Sequence, residues 1–174
     1  MDCVIYCPYK IRRARPRGGL RRCFKMLIKK IGAHAYPQAT SLIWTVFLRY
    51  NAPDFLPQGI EAFRSSISDW SYINALELWG AYIGGELVGV IALRRGSGHI
   101  ALLFVDGRYH RQGIGRALFE TARRYGAGRT MTVNASPYAV GAYLRLGFVP
   151  TAPEQHADGI RYTPMAYSKP PQIG

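Results

Sequence analysis

From residue 26 onward the apolar positions recur with a period of two or of three to four, and each change of period marks an element. Residues 26–31 read as a short strand. Thr40 or Ser41 is placed to cap a helix whose apolar stripe is Ile43, Val46, Phe47 and Tyr50. The run Asn51-Ala52-Pro53-Asp54 breaks it. Pro57 then opens a second helix with Ile60, Phe63 and Ile67 inward, and Ser68 to Ser71 end it in loop chemistry. Stripes of this kind are core, and they carry no chemistry by themselves.

The next stretch is strand-like. Residues 78–83 and 87–93 are apolar with Gly84-Gly85 between them, a hairpin signal. Residues 94–98, Arg-Arg-Gly-Ser-Gly, turn the chain again into an apolar run over 99–105. Ile114, Ala117, Leu118, Thr121, Ala122 and Tyr125 then fall on one face of a helix, with Arg116, Arg123 and Arg124 opposite. A strand over 130–133 follows, parallel to 99–105 because a helix crosses between them. Ser136 is suited to cap a last helix, Pro137 to open it and Gly147 to stop it. Residues 148–150 and 160–167 read as a final strand pair, and no internal repeat is present.

The junction between the strand 99–105 and its helix carries the chemistry. Gly113 and Gly115 leave backbone N–H groups free to converge at a helix N-terminus, where the helix dipole adds about half a positive charge. Arg108, Arg111 and Arg116 surround that point, so the segment reads as an anion cradle. The plain alternative is a glycine-rich turn with surface arginines. A phosphate-binding P-loop is excluded, because no Lys-Ser or Lys-Thr follows the glycines. A dinucleotide fingerprint fails at its third glycine, where Leu118 stands, and Asn134 occupies the region of its acidic residue.

The segment His110-Arg111-Gln112-Gly113-Ile114-Gly115 resembles the acyl-CoA-binding motif [QR]-x-x-G-x-[GA] of the GNAT acetyltransferase superfamily, with His110 at the Gln/Arg position. A second stretch, Ala139-x-x-x-Tyr143-x-x-x-Gly147-Phe148, is similar to the family's last-helix pattern. The element order over 26–168 agrees with both. The resemblance implies an α/β (α+β) fold: a mixed, mostly antiparallel sheet splayed between two central parallel strands and flanked by helices. It implies an acetyl-CoA-dependent N-acetyltransferase that passes an acetyl group to a primary amine by direct attack. Leu103, Phe104 and Val105 would offer the strand edge to pantetheine, and residues Arg111, Gln112, Gly113, Ile114, Gly115 and Arg116 would hold the pyrophosphate. Asn134 would bond the cofactor's amide arm. A backbone N–H near Phe104 would stabilise the oxyanion, and Tyr143 would be the acid for the leaving thiolate.

No base is evident. Where family members carry a mid-strand Glu, this chain has Ala101, Leu102 and Leu103. His99 lies about 20 Å from Val105 by strand rise, and Glu77 and Asp106 read as turn or strand-end carboxylates, so a water relay is expected.

Charge changes the picture at one end only. Of the net +13, residues 1–25 supply +7, from eight Lys/Arg and one Asp. That segment lacks any period and reads as a basic, disordered arm ahead of a single domain over 26–174. Such an arm suits nucleic acid, so two rival readings stand: a non-catalytic CoA-binding regulator or basic-arm nucleic-acid binder, and acetylation of a tRNA-borne or protein amine. Cys3, Cys7 and Cys23 are too few for a disulfide framework and lack a fourth zinc ligand, which points to a reducing, cytoplasmic setting with no metal. No apolar run is long enough to span a membrane. The acceptor is not encoded in any motif. Neither is the oligomeric state, with which a homodimer is compatible.

Overall fold

The computed structural model describes residues 4–11, 24–125 and 130–167. The elements in chain order are β1 (Val4–Ile11), β2 (Phe24–Lys30), α1 (Tyr36–Tyr50), α2 (Pro57–Ser68), α3 (Trp70–Asn74), β3 (Leu76–Ile83), β4 (Glu86–Arg94) and β5 (His99–Val105). They continue with α4 (Ile114–Tyr125), β6 (Thr132–Ala135), α5 (Pro137–Leu146), β7 (Phe148–Pro150), β8 (Gln155–Ala157) and β9 (Ile160–Tyr167). The sheet runs β1-β2-β3-β4-β5-β6-β9-β7, and β8 pairs with β9 off that path.

Most of this order agrees with the periodicity, and the differences have local causes. Val4–Ile11, expected within a disordered arm, instead pairs antiparallel with β2. Its valine, isoleucines and tyrosines favour the extended state, and charge crowds only the segment that follows it. Its register shifts between Tyr6 and Lys10, around Pro8, a residue with no N–H to give to a ladder. The basic residues Arg12 to Arg22, with Cys3 and Cys23, lie outside the described residues. Helix α1 begins at Tyr36, not after Thr40, because Pro37 presets its first turn, and Thr40 instead donates to the Pro37 carbonyl at 3.2 Å. Asp69 caps the short α3, its carboxylate accepting from the Ser71 N–H at 2.8 Å, where loop had been expected.

One irregularity sets the shape of the sheet. Across β4 and β5, Leu93 faces Ile100 and Ala92 faces Leu102, so Ala101 is an extra residue, a β-bulge. The parallel pairing of β5 with β6 covers His99 with Thr132 and Ile100 with Val133 and stops at that bulge. From there to Val105 the two strands diverge.

Beyond those two pairs, packing rather than a ladder joins the two halves. One buried cluster lies between the sheet and α1–α3 and includes Ile43, Leu78, Val90 and Leu102. The other lies beneath α4 and α5 and includes Ile91, Leu118, Phe119 and Phe148. The Phe119 ring on α4 sits 5.3 Å from Phe148 on β7 and 5.2 Å from Tyr167 on β9. It ties the helix that follows β5 to strands beyond the divergence. Phe119→Ala removes this tie and leaves a cavity at a fully buried site. A loss of about 3–5 kcal/mol is expected from urea denaturation, with an unchanged m-value.

Candidate active site

The divergence opens a cleft of about 1310 Å³. Its floor is the free edge of β5, and α1, α5 and the β8–β9 turn contribute to its walls. At its front Leu56, just before α2, donates to the Gly159 carbonyl at 3.1 Å.

The loop from β5 into α4 presents an array of donors. Arg111 and Gly113 both hold positive φ, 60° and 81°, an alternation that turns successive N–H groups toward one point. Among the described residues, the N–H groups of residues 111–116 reach no acceptor, and the first bond of α4 runs from the Ala117 N–H to the Gly113 carbonyl at 3.0 Å. The exposed Arg111 and Arg116 stand beside them at the cleft. Arg116 also donates to the Arg145 carbonyl at 2.8 Å, near the C-terminus of α5. Arg108, expected in the same ring of charge, is spent elsewhere: it is bound to Asp106 and Glu86, which raise its pKa. Gln112 turns its side chain back to the Arg108 carbonyl at 3.2 Å and does not line the cleft, so only its backbone joins the cradle.

Strand parity decides which backbone groups of β5 face the gap. The Asp106 N–H donates to Val88 of β4 at 2.9 Å. Antiparallel pairing alternates, so Phe104, opposite Val90, also turns its N–H and carbonyl toward β4. Leu103 and Val105 turn theirs toward the gap. The expected donor near Phe104 therefore belongs to its neighbours, an outcome that depends on the partner strand. The phenyl ring of Phe104 packs toward α2, 5.9 Å from Phe63. His110 closes the end of this edge: its Nε2 meets the Val105 carbonyl at 2.8 Å and so carries the hydrogen. The departure from Gln or Arg at this position thus ties the loop to the strand.

Tyr143 and Asn134 line the opposite wall. Tyr143 is buried, its ring edge-on to Phe148 at 5.2 Å, and burial pushes its pKa well above the usual phenol range. It holds a proton at neutral pH and has no hydrogen-bond partner among the described residues. Asn134 is exposed with its amide likewise unpaired. Ser136 precedes α5 but does not cap it, because its hydroxyl accepts from Asn51 at 2.6 Å. Beside that bond Tyr50 stacks on Tyr138 at 5.1 Å, so α1 and α5 meet across the front of the gap. No local pattern announces this bridge, which joins residues far apart in the chain.

The carboxylates considered as bases are engaged away from the gap. Asp106 is held ionised, below the usual carboxylate range, by its bonds to Arg108. Glu77 lies 3.7 Å from both Lys30 and Arg95. His99 does line the cleft, with Nδ1 3.0 Å from the Thr132 hydroxyl, and burial followed by the charge of Arg94 lowers its pKa.

Comparison with known proteins agrees with this geometry. The model of the acetyltransferase (GNAT) domain matches residues 51–169. A GCN5-related N-acetyltransferase from Rhodopseudomonas palustris superposes with a TM-score of 0.70 at 20% identity, covering 82% of this chain and 94% of that one. The PaiA N-acetyltransferase of Thermoplasma acidophilum, solved in complex with coenzyme A, gives 0.68 at 17% identity, over 83% and 99%. The apo form of YjaB from Escherichia coli gives 0.66 at 20%, over 82% and 97%. These likenesses show the same fold.

The environment of His99 has a consequence for stability. Its pKa is lowered from 6.5 in the folded chain, so as pH falls below that value the unfolded chain binds a proton that folded His99 resists. Stability falls accordingly between about pH 7 and pH 5. His99→Gln is expected to flatten that slope, read from urea midpoints across the range.

Proposed function

This chain belongs to the GNAT acetyltransferase family, and on that premise we propose that it is an acetyl-CoA-dependent N-acetyltransferase acting on a primary amine. The observation that carries the reading is the pairing of two unsatisfied backbone sets in one cleft: the N–H array of residues 111–116 and the free edge formed by Leu103 and the Val105 N–H. The first suits a pyrophosphate and the second an extended amide chain. Arg111 and Arg116 add charge for the phosphates, and the unpaired amide of Asn134 suits the pantetheine arm.

Acetyl-CoA supplies the activated thioester. The amine nitrogen forms the new C–N bond as the C–S bond breaks. The N–H of Leu103 or Val105 is the donor in reach of the developing oxyanion, a contact of a kind whose removal costs about 3–4 kcal/mol. Tyr143 gives its proton to the departing sulfur and is reprotonated from water. The amine releases its proton to water, since no free carboxylate stands mid-strand. No described helix is long and apolar enough to cross a membrane.

Purified protein is expected to bind coenzyme A at micromolar strength by calorimetry and to release thiol from acetyl-CoA in the presence of a suitable amine. Absence of heat with coenzyme A and every thioester tried contradicts the reading. Tyr143→Phe is expected to lower turnover about a hundredfold or more while binding is retained. Full turnover in that variant removes Tyr143 from the role of acid.

A further inference from the structure

On the α1–α2 side of β5, beside Phe104, the cleft changes character. Phe47, Phe55 and Phe63 line it there, with Phe63 stacked on Phe47 at 4.0 Å and Phe55 edge-on to Phe47 at 5.4 Å. Phe104 extends this wall toward the strand. Toward the start of β5 the lining continues with Tyr72, His99 and, at the end of β4, Arg94.

The cations near this end have different partners. Arg95 donates to the Asn74 carbonyl at 2.9 Å and faces Glu77. Lys30 shares Glu77, and Arg161 is bound to Glu154 at 2.8 Å. Arg94 has no carboxylate and no hydrogen-bond acceptor among the described residues. Its charge is nonetheless felt in the cleft: it opposes the burial that raises the pKa of Tyr72, and it adds to the burial that lowers that of His99. His99 is neutral there and adds no competing charge. Asp158 is the one carboxylate among the described lining residues, and it sits on the β8–β9 turn. A cleft lined by an apolar aromatic wall and, toward the start of β5, by an unpaired guanidinium suits a molecule with an apolar body and an anionic end. Arg binds carboxylates through a planar fork of charge-assisted bonds, and Arg94 is exposed and unpaired among the described residues.

We propose that the acceptor is an amine that carries its own carboxylate on an apolar body, as a hydrophobic amino acid does, and that Arg94 is the residue that binds this carboxylate. This rests on the acyl-transfer reading above. The aromatic wall takes the side chain, and the carboxylate on Arg94 orients the amine toward the mid-strand edge of β5. Arg94 is a specificity residue and touches no reacting atom.

The test compares L-phenylalanine with L-phenylalaninamide, which lacks the carboxylate, in a thiol-release assay with acetyl-CoA, for the native protein and Arg94→Gln. Calorimetry with coenzyme A is run on both. The native protein is expected to favour phenylalanine by about tenfold or more in kcat/KM, and this ratio is expected to fall to about unity in Arg94→Gln, with coenzyme A affinity unchanged. If both proteins bind coenzyme A but the ratio is the same in each, or the amide is preferred by the native protein, the proposal is overturned while the acyltransferase reading stands. If coenzyme A binds and neither amine reacts, calorimetry with N-acetyl-L-phenylalanine and N-acetyl-L-phenylalaninamide decides: equal affinity for the two overturns it, and a preference for the acid that Arg94→Gln abolishes supports it. If coenzyme A itself fails to bind, both readings fall together.

Discussion

Backbone hydrogen bonding left unmade between β5 and β6 is the constraint on which the rest of this structure depends. Two parallel pairs hold the strands together, and the bulge at Ala101 then turns them apart. A strand edge inside a sheet is costly if it is dry and unpaired, at about 1–3 kcal/mol for each buried group. Here the edge faces an open cleft that water can reach. The sheet survives the interruption because α4 and α5 pack beneath it, with Phe119 and Phe148 carrying contacts from one half to the other.

The same economy governs charge around the gap. Arg108, Asp106 and Glu86 neutralise one another at the foot of the donor loop. Arg116 spans to the end of α5 while keeping its charge at the cleft. Arg111, Asn134 and Arg94, whose side chains have no hydrogen-bond or ion-pair partner among the described residues, all line the cleft. Tyr143 fits the pattern from the other side: burial raises its pKa and keeps its proton in place. The site is thus a set of groups the fold has declined to satisfy, grouped by what each end of a ligand must offer.

Much of this was legible from local pattern. Gly113 and Gly115, the stripe of α4 and the spacing from Ala139 to Phe148 are properties of neighbouring residues, and the structure sets them where their periods imply. What was not legible depends on residues distant in the chain. The assignment of the gap-facing N–H to Leu103 and Val105 rather than Phe104 follows from the pairing of β5 with β4. Arg108 left the cradle because Glu86, on another strand, meets it. Ser136 lost its capping role to Asn51, and the first strand was hidden by the charge of the segment after it. Periodicity names elements, whereas pairing partners and competing donors settle what each group is free to do.

Amide hydrogen exchange, resolved by residue and measured with and without coenzyme A, tests the central claim most directly. The account predicts a Phe104 amide protected in both states, while the amides of Leu103, Val105 and residues 111–116 exchange quickly alone and slow on addition of the ligand. Fast exchange at Phe104 in the free protein, or no change at residues 111–116 under saturating coenzyme A, contradicts it.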